Sequence, residues 1–442
     1  MKKGKLFLCV FVSLLFISSM SLANGLNLNS LGTRALSMGG AFVGLADDFS
    51  AIFWNPAGIA QFDKSYFGFY GSDLIPRGSY KLDTVIPSKG SFTLVDAESK
   101  TKHYLTGMGA YYHPLTENLV AGIGIYAPSG LGVEWDGADF ALITNNNPSI
   151  KWMSKVGVIT ISPAIAYKIN DQISIGATLN MNYGMFDLKM YAESAVFPIN
   201  VPPYFIEVDL GQYEESMNGW GIGATFGVLV KPNEMFSLGV TVRTPSKIKF
   251  EGDAELPNLS FLDLASKSDL DREITWPLWI AAGVAVKPMK DLTVTADVQF
   301  TQWSKLDVIE TDYKDTFWKL FMAESGKNKM PLHWEDAFQI RFGAEYLLKN
   351  MAFRAGYYRD PAPGPERTLN ALLPNFDFNV ITVGFGYKMD DLQIDLGFEY
   401  LMGKERTVDL LKAAMDPEYE SAMPGIHNMA IPVPNISVSY KF

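Results

Sequence analysis

The sequence predicts an all-β protein, a transmembrane 14-stranded antiparallel β-barrel with an N-terminal plug, or hatch. Three observations lead to this fold class. Several segments alternate apolar and polar residues for longer than a typical soluble strand. The connections between these segments alternate between short and long. The chain also ends on a strand-like segment, NISVSYKF, whose last residue is aromatic, as in the C-terminal insertion signals of barrel proteins.

The clearest alternation lies in residues 173–185, where apolar and polar or small residues occupy opposite faces. The segments LTVTADVQF (292–300) and LQIDLGFEY (392–400) repeat the pattern. A soluble β-sandwich alternates in the same way with its apolar face inward, whereas a membrane barrel turns that face toward lipid. Alternation alone therefore leaves both folds open.

The order of the connections favours the barrel. The strand candidates are 65–75, 101–112, 118–127, 156–168, 172–190, 217–230, 235–250, 273–286, 292–308, 335–347, 351–358, 376–387, 392–402 and 433–442. Six short connections rich in turn residues separate seven long ones. This is the pattern of periplasmic turns and extracellular loops, and a soluble sandwich has no reason to keep it. We therefore assign residues 64–442 to the barrel and expect both chain termini in the periplasm.

Residues 1–23 form a predicted signal peptide. A lysine-rich start precedes an apolar run, and Ser21-Leu22-Ala23 offers small residues at a cleavage site. The alternative is an uncleaved anchor helix, but the apolar run is short for a bilayer that needs about 20 residues. Cleavage removes three lysines and no acid, so the formal net charge changes from −11 to −14, which argues against nucleic acid as a partner. Cys9, the only cysteine, would leave with this segment, and no thiolate metal site would remain.

Residues 24–63 precede the first strand and are too apolar for a solvated tail. A 14-stranded barrel otherwise leaves a water-filled opening, because the lumen widens with strand number. We therefore expect this segment inside the lumen as a hatch. A small periplasmic cap or a segment lying on the lipid surface are the alternatives.

Four stretches together resemble the FadL/TodX family of outer-membrane transporters for hydrophobic compounds. They are LGTRALSMGGAFVGLADDFSAIFWNPAGIAQFD, NGWGIGATFGVLVKPNEMFSLGVTVRTPSKIKFEG, FTQWSKL and EDAFQIRFGAEYLLKNMAFRAGYYRDPAP, and they follow the family's order along the chain. The resemblance implies a monomeric 14-stranded barrel, an N-terminal hatch, and an inward kink in the third strand that opens a lateral hole toward lipid. It also implies passive uptake of long-chain fatty acids or aromatic hydrocarbons, with outer-membrane lipid and the barrel-assembly machinery as further partners.

The resemblance singles out two groups of residues. The first is the hatch turn, in which Phe53 and Trp54 precede Asn55, Pro56, Ala57 and Gly58. Asn and Pro form tight turns in any case, so a plain turn and a hatch that shifts on ligand binding both fit. The second is the exit of the third strand, where proline and glycine weaken strand pairing and Gly130 falls at the family's kink. An ordinary strand end is the alternative for this group, whose members are Pro128, Gly130, Gly132 and the facing Asp360.

Strand phase places Arg243, Arg341 and Arg354 on the lumen side. A fatty-acid carboxylate in an apolar pocket needs a basic partner, because an unpaired buried charge is costly. The alternative is that these arginines pair with the lumen carboxylates Asp297, Asp395 and Glu399. A lysine that precedes Asp-Ala in the best-known family member is Glu335 here, which leaves room for an uncharged hydrocarbon as the ligand.

Two long loops carry helical apolar spacing, at 259–266 and 313–325. In the second, Tyr313, Phe317, Leu320 and Phe321 share a face, which fits either a helix packed on its neighbour or an outer groove that captures ligand. The four histidines lie in separate segments and no hydrolase, metalloprotease or P-loop motif is present, so we expect neither an enzyme nor a cofactor or metal site. A structural or adhesive outer-membrane barrel without transport remains the alternative function.

Overall fold

The computed structural model describes residues 25–28, 31–86, 90–198, 205–419 and 421–442. The predicted signal peptide and residues 24, 29 and 30 of the predicted hatch lie outside the described residues. Among the described residues, no helix is long and apolar enough to cross a membrane.

The described chain is built mainly from strands. They are β1 (Tyr66–Leu74), β2 (Arg77–Ile86), β3 (Gly90–Glu98), β4 (Tyr104–Pro114), β5 (Leu119–Trp135), β6 (Trp152–Lys168), β7 (Ile173–Tyr191), β8 (Ser194–Pro198), β9 (Phe205–Asp209), β10 (Gln212–Val230), β11 (Phe236–Arg243), β12 (Ser246–Glu255), β13 (Lys267–Trp276), β14 (Trp279–Met289), β15 (Leu292–Thr301), β16 (Val308–Tyr313), β17 (Lys329–Pro331), β18 (Ala337–Leu348), β19 (Met351–Asp360), β20 (Phe378–Met389), β21 (Leu392–Gly403), β22 (Arg406–Val408) and β23 (Gly425–Lys441). The α-helices are α1 (Thr33–Ser37), α2 (Ala51–Trp54), α3 (Thr316–Glu324) and α4 (Leu410–Met415). Single 3-10 turns span Pro56–Gln61, Gly137–Ile143, Pro257–Leu262, Trp303–Lys305 and Glu366–Thr368.

The strands form a closed antiparallel barrel of fourteen wall strands, as the sequence predicts. Neighbours in the wall follow chain order, and β1 closes the barrel by pairing with β23. Several wall strands are built from two consecutive segments each, among them β11 with β12, β13 with β14, β15 with β16, and β17 with β18. The six predicted short connections all lie at one end of the barrel and the seven long ones at the other. β8 and β9 form a separate hairpin within a long connection.

Burial along the strands separates the barrel from the soluble sandwich. In β15, Thr295, Asp297 and Gln299 are each 2% exposed, whereas the alternating Val294 and Val298 are 42% and 49% exposed. The polar face therefore points into the barrel and the apolar face outward, which is the reverse of a soluble strand. Because bare apolar surface of this extent is stable only against lipid, the burial pattern fits a transmembrane wall.

Several strand ends differ from the sequence prediction. The third wall strand, predicted to end at residue 127, runs to Trp135 because β5 keeps its ladder with β6. The strand predicted at 235–250 is broken at Thr244-Pro245, and the one at 273–286 is broken at Pro277-Leu278. Proline lacks the N–H that a ladder needs, which explains why both breaks contain one.

The outer connections also hold more strand than predicted. The predicted long loop at 76–100 contains the β2–β3 hairpin, which continues the wall beyond β1 and β4 and pairs with β23 through β2. The predicted helical face that begins at Tyr313 is corrected, because Tyr313 ends β16 and the helix begins only at Thr316. Asp315 supplies the reason, since its side chain accepts the backbone N–H of Trp318 and caps the helix there.

Candidate functional site

Residues 31–62 are almost entirely buried and contact the inward side of wall strands all around the barrel. Some contacts need glycine in the wall. A side chain at Gly176 would overlap the backbone of Pro56, and one at Gly239 would overlap the carbonyl of Val43. Other contacts are hydrogen bonds, such as the 3.0 Å bond from the Thr33 N–H to the Ser437 hydroxyl. The described part of the predicted hatch therefore packs against the wall at close range.

The predicted hatch turn is held by the Asn55 side chain. Its Oδ1 accepts the N–H of Ala57 at 3.1 Å, and its Nδ2 donates to the carbonyls of Val43 and Val228 at 3.0 Å each. Pro56 then opens the 3-10 turn, where its missing N–H leaves no donor unsatisfied. Asn55 thus satisfies the buried turn and ties it to β10.

Space and aromatic packing fix the rest of the turn. A side chain at Gly58 would overlap the Ala46 carbonyl. The Trp54 indole donates to the Leu31 carbonyl at 2.9 Å, and Phe53 packs edge-on against Trp54 with ring centroids 5.1 Å apart. The six predicted turn residues therefore lie together in one buried unit.

A buried ionic network fastens the segment to the wall. Arg34 pairs with Glu345 of β18 at 2.7 Å and with Asp47. Glu345 also pairs with Arg354 at 2.6 Å, and Arg354 with Asp395 at 2.7 Å. Arg354 thus pairs with Asp395, as the alternative interpretation has it, and with Glu345, which the sequence did not single out, so it is not free for a ligand.

Asp48, which follows Asp47 in the chain, is also buried. Burial raises the pKa of Asp48 to about 6, although Arg34 and the hydrogen bonds from Ser50 oppose the rise. Asp48 belongs to the segment that precedes β1. Its protonation state therefore depends on whether that segment is packed in this buried position.

Asp297 makes a second kind of attachment. Its Oδ2 accepts the backbone N–H groups of Phe42 at 2.8 Å and Val43 at 2.9 Å. Strand phase placed Asp297 in the lumen but suggested an arginine as its partner. The backbone contact was not predicted, because sequence periodicity gives the direction of a side chain and not the loop that meets it.

The hydrogen-bond ladder of the wall is interrupted beside β5. The β4–β5 ladder ends at Met108–Tyr126, whereas β5 stays paired with β6 as far as Trp135. A register shift at Ala127-Pro128 marks a bulge at the point where β5 leaves β4. An isolated bridge between Ser99 and Trp135 rejoins the wall farther out. The stretches 101–107 and 127–134 therefore border a gap in the ladder.

The gap meets the start of the described chain. The Leu28 N–H donates to the Pro128 carbonyl at 3.0 Å, and the Ser129 hydroxyl donates to the Leu26 carbonyl. Pro128 lies in the bulge itself, while Gly130 and Gly132 are buried and pair with β6 at Gly157 and Lys155. The departure from β4 thus begins two residues before Gly130.

Asp360 ends β19 and is fully buried. The Gln339 side-chain amide donates a hydrogen bond to its carboxylate. Gln339 in turn lines a cavity together with Leu28, which contacts the bulge. Asp360 is therefore linked to the region of the gap through Gln339 and the cavity that Gln339 shares with Leu28.

Two small cavities lie between the segment and the wall, with volumes of about 40 Å³ and 20 Å³. Arg243 and Trp279 line both, and so does Asn27. The larger cavity also reaches Tyr126 and Pro128 at the gap. Its polar lining comes from the side chains Thr160, Asn180, Asn182, Thr244 and Ser246.

Arg243 and Arg341 differ from Arg354 in their partners. The Arg243 guanidinium lies over the rings of Phe53 and Trp279, 4.5 Å and 4.8 Å from their centroids, and donates to the Phe53 carbonyl at 2.9 Å. Arg341 donates to the Gly39 carbonyl at 3.1 Å and to Gln339 at 2.8 Å. Both arginines line the smaller cavity. Among the described contacts, neither forms an ion pair.

Part of the predicted outer capture surface is a stack of aromatic rings. Phe317 and Phe321 stack on each other at 5.4 Å, and both stack on Phe197 of β8. Leu320 points away and is 61% exposed. The structure thus brings Phe317 and Phe321 together and separates Leu320 from them.

The whole-chain comparisons match this architecture. Residues 14–442 match the model of the outer membrane protein transport family described as OMPP1/FadL/TodX. The chain belongs to this family. It is 24% identical to a long-chain fatty acid transport protein of Escherichia coli over 89% of this chain and 90% of that protein. It is 23% identical to outer membrane protein P1 of Haemophilus influenzae, again over 89% of this chain and 90% of the relative.

Solved structures share the fold. A Pseudomonas aeruginosa FadL homologue superposes with a TM-score of 0.73 at 17% identity, covering 95% of this chain and all of that one. The toluene transporter TodX of Pseudomonas putida superposes with a TM-score of 0.67 at 16% identity, covering 94% of this chain and 99% of that one. The protein is accordingly an outer-membrane β-barrel of the transport family from a Gram-negative bacterium.

Proposed function

We propose that the protein lets hydrophobic compounds diffuse passively into the cell envelope and leave sideways into the membrane through the gap beside β5. Relatives named as fatty acid and toluene transporters suggest long-chain fatty acids or aromatic hydrocarbons as the compounds. The observation that carries the proposal is the ladder break after Met108–Tyr126, which lies next to a cavity inside the barrel. No energy source is needed, because the compound moves down its gradient.

A sideways exit is favoured because it is costly to expose the apolar surface of the compound to water. Apolar surface exposed to water costs about 25 cal/mol per Å², or about 0.8 kcal/mol per CH₂ group. A sixteen-carbon chain would therefore face a barrier on the order of 10 kcal/mol on entering the aqueous periplasm. A wall opening avoids that step, provided that the freed backbone groups find partners. The Leu28 N–H supplies such a partner for the Pro128 carbonyl at the bulge.

The predicted hatch has to rearrange for transport. The cavity of about 40 Å³ holds a few water molecules and no long alkyl chain. Residues 26–28 line the cavity or border the gap, and their movement would join the two. Residues 31–62 carry the ionic and backbone attachments to the wall. We therefore propose that residues 26–28 move first and that the rest of the hatch keeps the lumen closed to solutes.

Arg243 is our candidate for a ligand carboxylate partner, with Arg341 second. Both line a cavity, and Arg243 is held by rings and a carbonyl in place of a carboxylate. The aromatic stack of Phe317 and Phe321 is the candidate for first capture outside. We further infer that the protein works as a monomer, is inserted by the barrel-assembly machinery, and is not an enzyme. A structural or adhesive barrel would not need the gap.

An arginine in place of Gly130 tests the route. Gly130→Arg should fill the gap and abolish uptake of a long-chain fatty acid and of an alkylbenzene in cells that express the protein. Correct folding is checked by heat-modifiable mobility on gels, and binding at the outer surface is measured separately with a fluorescent fatty acid. Normal uptake by a folded variant would rule out the lateral route and favour a channel straight through the barrel.

A further inference from the structure

The wall is interrupted at a second place, between β13 and β16. Their ladder contains only three pairs and ends at Arg272–Thr311. Pairing between the two wall strands resumes at the 2.9 Å bond from the Gln302 N–H to the Leu278 carbonyl. The β14–β15 ladder follows directly from there. Five residues of one wall strand, 273–277, thus face eight residues of the next, 303–310.

The extra residues of the longer side turn into the barrel. Trp303–Lys305 forms a 3-10 turn, and Trp303 and Leu306 are 2% and 3% exposed. The Trp303 ring packs edge-on against Trp334, with centroids 5.3 Å apart. Val308–Glu310 pairs with β17 and not with β13, so the ladder is not restored there. The Trp303 turn therefore fills the space behind the break from within.

The break opens toward the same interior space as the gap beside β5. Trp276 and Pro277, at the broken edge, line the larger cavity together with Pro128. Trp303 lines the smaller cavity with Leu28, and a side chain on Gly25 would overlap the Trp303 ring. The segment that borders the gap beside β5 thus also touches the turn that fills the second break.

On the outer face of the barrel, the break lies at the edge of the apolar surface, toward the end with the long connections. Ile280 and Phe338 below it are exposed apolar residues, whereas Ser304 and Lys305 at the break are exposed polar residues. A single-chain amphiphile dissolved in a membrane has this profile, since its polar end sits at the interface and its chain lies below. Inside the break, the Trp276 indole N–H is buried and has no hydrogen-bond partner among the residues that the structure describes. A buried donor of this kind is costly and favours a ligand that carries an acceptor oxygen.

We propose that the wall between β13 and β16 is a second, closed opening through which single-chain amphiphiles already dissolved in the membrane reach the cavity. The turn Trp303–Lys305 closes this opening from inside the barrel. This inference rests on the proposed function, because the second opening leads to the same cavity. It adds an access route from the membrane to the exit beside β5.

A reversible staple tests the opening. Continuing the ladder by one rung beyond Arg272–Thr311 would pair Glu273 with Glu310, and both residues are exposed on the outer face. A Glu273→Cys/Glu310→Cys disulfide would hold the break shut. Asp271→Cys/Asp312→Cys is the matched control, because it also removes two exposed carboxylates but staples a rung that is already paired.

The purified full-length protein is placed in phosphatidylcholine vesicles containing a diazirine-bearing fatty acid. Photolabelled residues are then mapped by mass spectrometry. Labelling of Trp303 and Leu306 should fall several-fold when the Glu273→Cys/Glu310→Cys staple is oxidised and recover on reduction, while the control staple changes nothing. Trp303→Ala should raise the labelling of Trp276.

Equal labelling of Trp303 in the oxidised and reduced stapled protein would overturn the proposal, as would absence of label there in the parent protein. Labelling of Tyr126 and Pro128 reports separately on the gap beside β5. If that labelling persists while the staple has no effect, the second opening fails and the proposed function stands. If it is absent while Trp303 is labelled, the exit route fails instead.

Discussion

Replacing Asp297 with alanine should loosen the predicted hatch. The carboxylate accepts two backbone N–H groups, from Phe42 and Val43, in a site where Asp297 is 2% exposed. Each buried donor left without a partner costs about 1–3 kcal/mol, so the packed state loses about 2–6 kcal/mol. Even the lower figure raises the loosened population roughly 30-fold, since 1.4 kcal/mol corresponds to a factor of ten. Single-channel recording in planar bilayers should therefore show more frequent openings to small ions.

Asp297→Asn is the matched control for this prediction. Its amide oxygen still accepts both N–H groups, so its openings should stay much closer to those of the parent than to those of Asp297→Ala. Alanine and parent channels with the same opening frequency, at equal barrel stability, would refute the argument that Asp297 holds the hatch.

Three further predictions concern topology, the lumen and pH. Lys327→Cys should react with a membrane-impermeant maleimide on intact cells and Asn170→Cys should not; the opposite result would invert the predicted orientation. Deleting residues 25–60 should leave an inserted barrel that leaks small solutes, and a barrel as tight as the parent would place the segment outside the lumen. The pKa of Asp48, raised to about 6 where it is buried, falls to its ordinary value of about 4 if the hatch is released into water. The packed form therefore binds a proton more tightly, so channel openings should become rarer as the pH falls from 7 toward 4, whereas Asp48→Asn should remove this dependence.

The barrel could be predicted from sequence because its rules are local. Alternation of two residues sets the direction of side chains, and proline, glycine and asparagine mark the short turns. Thr295 and Val294 illustrate this, since neighbours in sequence lie on opposite faces of the wall. The number of strands and the order of their connections followed from the same reading.

Proline, glycine and the family resemblance indicate a kink beside β5, but sequence predicts neither which neighbour β5 loses there nor the second break, between β13 and β16. The bulge at Ala127-Pro128 separates β5 from β4 but not from β6, and which neighbour a strand loses depends on partners far away in sequence. The predicted strand 292–308 includes Trp303, because nothing in the neighbouring residues indicates that the chain turns inward there. Sequence did place Arg243, Arg341 and Arg354 in the lumen, but their different partners depend on loops that only the folded chain brings near.

A reversible staple across the gap beside β5 tests whether the ligand leaves the barrel there. The last rung is Met108–Tyr126, so the next would join Gly107 to Ala127. Uptake of a radiolabelled long-chain fatty acid is measured for Gly107→Cys/Ala127→Cys in cells, with the disulfide oxidised and then reduced. The control is Tyr111→Cys/Ile123→Cys, a rung already paired on the same outer face. Uptake should stop on oxidation and return on reduction in the first pair only, whereas undiminished uptake with the staple closed would show that the ligand does not leave beside β5.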